Sequence, residues 1–92
     1  MNIEHDIAGH RFRAPLSGGT GDLTYEPRGD ALDLLHTVVP AEAQGEGVGD
    51  ALVRAAFDYA RSVGKKIIPT CPYVRHWLEE HPEENEMVLA RR

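Results

Sequence analysis

The chain lacks several features that would assign it to a particular class of protein. It has one cysteine, so an internal disulfide is impossible, and no cysteine or histidine pair has the spacing of a metal site such as a zinc site. No apolar run approaches the roughly 20 residues of a membrane span, and residues 1–6 lack the basic and hydrophobic regions of a signal peptide. The net charge of −5 argues against nucleic acid and against an anionic membrane as partners.

The residues that are present suit a small cytoplasmic domain. The 92 residues are 41% hydrophobic, which is enough for one core but not for two. We therefore expect a single domain over residues 1–92, as a monomer or a weak homodimer.

The first half of the chain predicts an antiparallel meander. Residues 10–14 and 23–25 alternate in polarity, and turn-forming residues follow each of them. The run 31–39 is rich in leucine and valine and predicts a third strand. Strict alternation along that strand puts four side chains on one face, those of Leu32, Leu34, His36 and Val38. It puts three on the other face, those of Leu35, Thr37 and Val39.

The second half predicts a βαβ unit. Apolar residues recur at helical spacing over 48–63, and a short apolar strand follows over 67–71. Pro72 fits the first turn of a second helix, which we expect to end by His81. The predicted fold class is thus α/β with a mixed sheet: antiparallel strands lead into a parallel pair with a right-handed crossover, and a C-terminal helix follows.

A glycine-rich turn, residues 44–49, separates strand 31–39 from helix 48–63. Glycines let the backbone approach a ligand, and the free N–H groups of a first helical turn favour phosphate. The spacing Q-x-x-G-x-G fits neither the dinucleotide fingerprint nor a Walker loop. The βαβ topology also brings Cys71 to the same end of the sheet, where open α/β sheets bind ligands.

The turn resembles the Q/R-x-x-G-x-G/A motif of the GNAT superfamily of N-acetyltransferases. The chain looks even more similar to a short branch of that superfamily, the small acetyltransferase-like proteins. The segments that match this branch occur in the same order and cover about half of the chain. The matching segments are His36-Thr37, Val39-Pro40, Gln44 to Gly49, Ala51-Leu52-Val53, Pro69, Cys71-Pro72-Tyr73-Val74 and His81-Pro82-Glu83.

The resemblance implies a reduced GNAT fold that binds acetyl-coenzyme A. The pyrophosphate would meet backbone amides of the turn, and the thioester would lie near the end of the first strand of the βαβ unit. The implied cofactor-binding residues are Val38, Val39, Gln44, Gly45, Glu46, Gly47, Val48, Gly49, Asp50, Cys71 and Tyr73. Many members of the superfamily have an acidic tyrosine on the last helix, but by count from Cys71 the similar position here is near Trp77.

Two residues are candidate catalytic groups. His36 could remove a proton from an amine, although a histidine between apolar neighbours is more often a core residue. Cys71 near a helix N-terminus could be a reactive thiol, although free cysteine is usually a small buried apolar residue. The glutamates from Glu79 to Glu86 are expected to form a solvated face.

These features lead to three hypotheses about function. The first is an acetyl-coenzyme A-dependent N-acyltransferase that acts on an amine of a small molecule or a protein. The second is a coenzyme A-binding module or partner subunit without efficient chemistry, because a short chain leaves little surface for an acceptor pocket. The third is a phosphate-binding scaffold unrelated to coenzyme A.

Overall fold

A computed structural model describes residues 1–89 as one mixed sheet with helices. The strands are β1 (Glu4–Asp6), β2 (Arg11–Leu16), β3 (Gly19–Arg28), β4 (Ala31–Val38) and β5 (Lys66–Pro69), and their spatial order follows the chain. The helices are α1 (Val48–Ser62) and α2 (Pro72–Glu80), with 3-10 helices at Ala41–Ala43 and Pro82–Met87. The first four strands pair antiparallel, whereas β4 and β5 pair parallel across α1, which confirms the predicted fold class.

The meander is larger than the sequence pattern predicts. β1 has only three residues and no clear alternation, so its polarity gave no signal of a strand. β3 extends over ten residues and includes glycines and a proline that composition assigns to turns. Pairing with a neighbouring strand holds these residues in the sheet: Gly19 and Gly21 pair with β2, and Pro27 pairs with β4.

The predicted alternation along β4 is wrong beyond Leu34. The register with β3 steps from Tyr25 opposite Leu34 to Thr24 opposite His36, so Leu35 is an extra residue without a partner on β3. Such a bulge shifts the side-chain alternation by one residue. His36 and Val38 are therefore exposed on the opposite face from Leu34. Thr37 and Val39 take the face that carries the helices.

Both α-helices pack on one face of the sheet, which we call the inner face. The core between them contains apolar residues from every strand except β1, together with the apolar sides of α1 and α2. Val74, Trp77 and Leu78 are the buried residues of α2, as predicted. No helix within residues 1–89 is long and apolar enough to cross a membrane.

The chain after α2 returns to the sheet. Val88 forms a parallel bridge with Ile67, and the backbone N–H of Leu89 donates to the carbonyl oxygen of Ile67 at 2.8 Å. The sequence allowed a last strand or a packed extension here, and the segment is a single bridge beside β5. The remainder of the predicted domain, residues 90–92, lies outside the described part of the chain.

Candidate active site

A cleft of about 430 Å³ lies on the inner face where β4 ends. Its walls come from the end of β4, the glycine turn, the first turn of α1 and the first turn of α2. The lining residues are Thr37, Val39, Ala43, Gln44, Gly45, Gly47, Val48, Gly49 and Tyr73. The structure thus brings seven of the residues predicted from the sequence to one cleft.

The glycine turn has a backbone conformation that glycine adopts at low energy. Gly45 and Gly47 have φ values of 87° and 82°, and Gly47 is the residue that precedes α1. A Cβ added at either position would meet no atom within 4 Å, so both glycines border open space. That space is the part of the cleft that a side chain at either position would fill.

The turn also presents backbone donors. Within residues 1–89, four consecutive N–H groups at the start of α1 make no hydrogen bond to another backbone group, those of Gly47, Val48, Gly49 and Asp50. The N–H of Gly45 makes none either, whereas that of Glu46, between them, donates to the carbonyl oxygen of Ala43. Free N–H groups at the positive end of a fifteen-residue helix form a site for an anionic group such as phosphate.

Gln44 fixes the start of the turn against the sheet. Its side-chain Nε2 donates to the carbonyl oxygen of Val39 at 3.2 Å. The first residue of the Q-x-x-G-x-G pattern therefore ties the turn to the end of β4. This contact gives the glutamine a structural role in addition to its place in the cleft wall.

The two acidic residues of the turn do not converge on these donors. The carboxylate of Asp50 accepts a hydrogen bond from Trp77 Nε1 at 2.6 Å, and His81 Nε2 lies 3.9 Å from the same oxygen. Glu46 is exposed to solvent. The negative charge of Asp50 is thereby drawn toward α2, and it is partly offset there by an indole donor.

Tyr73 closes the cleft from α2. A Cβ added at Gly49 would lie 2.6 Å from the Tyr73 hydroxyl oxygen, so the ring packs directly on the backbone of α1. The side chain is still 40% exposed, which leaves it accessible to a ligand. Burial, followed by the negative charge of Asp50, raises the pKa of the Tyr73 phenol, which is therefore protonated at neutral pH.

Cys71 does not line the cleft, but its side chain contacts one that does. It is the residue that precedes α2, as predicted, and it is 4% exposed. Its thiol donates to the hydroxyl oxygen of Thr37, with 3.6 Å between Sγ and Oγ1, and Thr37 lines the cleft. The βαβ argument correctly brought Cys71 to this end of the sheet, while its catalytic role stays a prediction.

His36 and Val38 lie on the other face of β4, which we call the outer face. Both are exposed there because of the bulge at Leu35. The cleft and this pair of residues are thus separated only by the end of β4. The hypothesis that His36 is a satisfied core histidine is wrong, whereas its possible role as a base stays a prediction.

Trp77 occupies the core rather than the cleft. It is 3% exposed, its ring stacks on His81 at 4.1 Å between centroids, and the guanidinium of Arg54 lies 5.0 Å from its centroid. Tyr73, four residues earlier, is the aromatic residue of α2 that lines the cleft. The residue at the position counted from Cys71 therefore does not line the cleft.

The sequence also gave no indication of the ion-pair cluster behind this site. Glu84 is 6% exposed and bonds to Arg54 Nη1 at 2.7 Å and to Arg61 Nη2 at 2.5 Å. Burial alone would raise the pKa of Glu84, but the two arginines outweigh it and the pKa is lowered. The expectation that Glu84 belongs to a solvated face is wrong.

Comparison with known proteins identifies the family to which this chain belongs. The family model of the GCN5-related N-acetyl-transferase matches residues 11–87. The chain therefore belongs to the GCN5-related N-acetyltransferase family, which is the superfamily that the glycine turn resembles.

Individual relatives and a solved structure are similar to this chain over most of its length. The protein NATD1 of Xenopus tropicalis is 33% identical over 85 residues, covering 89% of this chain and 78% of the relative. NATD1 of Homo sapiens is also 33% identical, over 89% of this chain and 75% of the human protein. The solution structure of a GCN5-like protein from Staphylococcus aureus is 26% identical with a TM-score of 0.75, covering 99% of this chain and 90% of that one.

Proposed function

We propose that this protein binds acetyl-coenzyme A in the cleft and transfers the acetyl group to a primary amine. The observation that carries the proposal is the turn with Gly45 and Gly47 at positive φ, which combines open space with unpaired N–H groups at the start of α1. These residues fit a pyrophosphate, because each supplies a backbone donor and none adds a side chain to the space. Family membership supports the same cofactor.

The remaining lining residues suit the rest of such a ligand. Thr37 and Val39 line the cleft at the end of β4, where the thioester would lie in the proposed mode of binding. Acetyl-coenzyme A supplies an activated acetyl group as its thioester. Backbone groups at the end of β4 would stabilise negative charge on the carbonyl oxygen, as in an oxyanion hole.

Two side chains would transfer protons in the proposed reaction, one as a base and one as an acid. His36 would accept the proton that the amine must lose, since it lies exposed on the face from which an acceptor can approach the end of β4. The new carbon–nitrogen bond then replaces the carbon–sulfur bond, whose electron pair leaves with the sulfur. Tyr73 would donate its proton to that sulfur, because the raised pKa keeps its hydroxyl protonated.

Calorimetry and a thiol-release assay test this proposal together. Wild type should bind coenzyme A and release free thiol from acetyl-coenzyme A when an amine is added. Tyr73→Phe should lower kcat at least tenfold with a smaller effect on the Kd for coenzyme A. Tyr59→Phe is the matched control, since Tyr59 lies on α1 against His5, on the aromatic cluster outside the cleft, and should leave both values unchanged.

The two other functional hypotheses give different results in the same experiment. Coenzyme A binding without amine-dependent thiol release would support the binding-module hypothesis. Binding of other nucleotides but not of coenzyme A at millimolar concentration would refute the proposed cofactor and favour the phosphate-binding scaffold. Cys71→Ala separates direct transfer from a route through the thiol, because only the second route requires the cysteine.

A further inference from the structure

An acidic side chain lies within the turn that would bind the phosphate groups. Asp50 is the third residue of α1, and Gly47 is the residue that precedes the helix. In many helices, a carboxylate at this third position turns back and accepts a hydrogen bond from the N–H of the residue before the helix. The positive end of the helix dipole also favours a negative charge there. Asp50 is therefore placed to bond to the N–H of Gly47 and to compete with a phosphate for it.

Asp50 does not make this contact. No side chain caps the start of α1, and the N–H of Gly47 donates to no backbone acceptor within residues 1–89. Instead, Oδ1 of Asp50 accepts a hydrogen bond from Nε1 of Trp77 on α2 at 2.6 Å. The turn thus keeps this donor free, although a suitable acceptor lies only three residues away.

Within residues 1–89, only the indole of Trp77 donates a hydrogen bond to the Asp50 carboxylate. Nε2 of His81 lies 3.9 Å from the same oxygen, which is beyond hydrogen-bond distance. The guanidinium of Arg54, one turn further along α1, bonds to Glu84 at 2.7 Å. The Asp50 side chain is 57% exposed, so packing contributes little to its position. The indole N–H therefore determines where this carboxylate lies.

The indole is itself held in place from several directions. Its ring stacks on His81 and lies under the guanidinium of Arg54, and the centroid of Phe57 is 4.8 Å from its own. A buried indole N–H without an acceptor would be unfavourable, so the bond to Asp50 satisfies both groups. Because the ring is fixed, its donor holds the carboxylate at one place on the side of α2.

We propose that Trp77 is a positioning residue that keeps the Asp50 carboxylate away from the N–H of Gly47. The proposal rests on the proposed binding of acetyl-coenzyme A, to which it adds the residue that keeps the phosphate site open. Without the indole N–H, the carboxylate turns back, takes up the Gly47 donor and repels a phosphate by its charge. Trp77 does not line the cleft, so it acts through Asp50.

A double-mutant cycle on the Kd for coenzyme A, measured by calorimetry, tests this role. Trp77→Phe should weaken binding at least tenfold, because it removes the donor and leaves the carboxylate free. Asp50→Ala should bind at least as tightly as wild type, since it removes the competing group. The double variant should bind within threefold of Asp50→Ala, because the two residues act through one contact. An equal loss from Trp77→Phe in both backgrounds would refute the proposal, since a purely structural role does not depend on Asp50.

Phe57→Leu is the matched control for lost packing. Phe57 is fully buried beside Trp77 and does not line the cleft. Both Trp77→Phe and Phe57→Leu should lower Tm, because each leaves a gap in the core. Phe57→Leu should change the Kd for coenzyme A less than twofold. If it weakens binding as much as Trp77→Phe does, the loss comes from packing and the positioning role is wrong.

An isosteric replacement removes the donor without removing the ring. Trp77 is the only tryptophan of the chain, so it can be replaced biosynthetically by 3-benzothienylalanine, which has a sulfur atom in place of the N–H. This protein should fold even if Trp77→Phe does not, because the shape of the side chain is kept. It should show the same tenfold loss of affinity for coenzyme A. Binding equal to that of wild type would overturn the proposal.

Nuclear magnetic resonance of the free proteins gives a readout that needs no cofactor. Removal of the indole N–H should shift the Gly47 amide proton downfield and slow its exchange with solvent at least tenfold, since it gains a carboxylate acceptor. In the Asp50→Ala background, neither change should occur. If wild type binds no coenzyme A but the Gly47 amide behaves in this way, the proposed cofactor fails and the positioning role stands. If wild type binds coenzyme A and the loss of the indole N–H changes neither the Kd nor the Gly47 amide, only the positioning role fails.

Discussion

Replacement of Gly47 by alanine tests separately how much this glycine contributes to stability and how much it contributes to ligand binding. The added Cβ meets no protein atom within 4 Å, so the variant creates no clash inside the chain. It does force an L-residue into the left-handed region at φ 82°, which costs about 1–2 kcal/mol. For a domain of this size, that corresponds to a fall in Tm of about 4–8 °C for each kcal/mol.

Gly29→Ala is the matched control for Gly47→Ala. Gly29 has φ 60° in the turn between β3 and β4, and a Cβ there also meets nothing within 4 Å. Both variants should therefore lose a similar amount of stability in denaturant unfolding. Only Gly47 borders the cleft, so only Gly47→Ala should lose affinity for coenzyme A, by at least tenfold.

Thermal unfolding with ligand measures the difference on one scale. Coenzyme A at 100 times the wild-type Kd should stabilise wild type and Gly29→Ala by about 2.7 kcal/mol. A tenfold loss of affinity reduces that gain to about 1.4 kcal/mol for Gly47→Ala by the same relation. If the two variants gain equal stability from the ligand, the open space beside Gly47 is not the binding site for the pyrophosphate.

The remaining predictions concern groups around the site. Gly49→Ala should fold but push the Tyr73 ring aside, because its Cβ would lie 2.6 Å from the hydroxyl, and kcat in the thiol-release assay should fall toward that of Tyr73→Phe. Glu84→Gln should lower the free energy of unfolding by about 1–3 kcal/mol at pH 7, whereas Glu83→Gln should change it little. Because the folded-state pKa of Glu84 is lowered, its contribution is present above the unfolded-state pKa of about 4.3 and is lost as the pH falls through the folded value, so the two proteins should converge in acid. Burial lowers the pKa of His5, which packs on Phe12 and contacts Tyr25 at 2.7 Å. Wild type should therefore lose stability as the pH falls through and below about 6.5, because the unfolded state takes up the proton more readily than the folded state. In denaturant unfolding, His5→Phe should show a flatter dependence of stability on pH.

The parts of the fold that the sequence predicts are those determined by local pattern. Helix 48–63 has sustained helical periodicity, and the glycines mark its start, so its ends agree with α1 to within one residue. The parallel pairing of β4 and β5 follows from the helical connection between them, because parallel neighbours need a crossover of a dozen or more residues. These elements are sufficient to locate the cleft and to bring Cys71 to its end of the sheet.

The features that the sequence does not predict depend on contacts distant in the chain. The bulge at Leu35 is set by the pairing of β4 with β3, and it decides which face His36 and Val38 occupy. Glu84 is buried because Arg54 and Arg61, 30 and 23 residues earlier, surround its carboxylate. A run of glutamates alone is typical of a solvated face, so no local rule identifies the buried member.

The glycine turn combines a flexible composition with several fixed contacts. Gln44 ties it to the carbonyl oxygen of Val39, and the carboxylate of Asp50 ties the first turn of α1 to Trp77 on α2. Tyr73 packs on Gly49 between these two contacts. Because the contacts come from β4 on one side and α2 on the other, the N–H groups of the turn are oriented before any ligand arrives. Such preorganisation would reduce the entropy lost when the proposed cofactor binds, so that a small domain could hold its phosphate groups with few side chains.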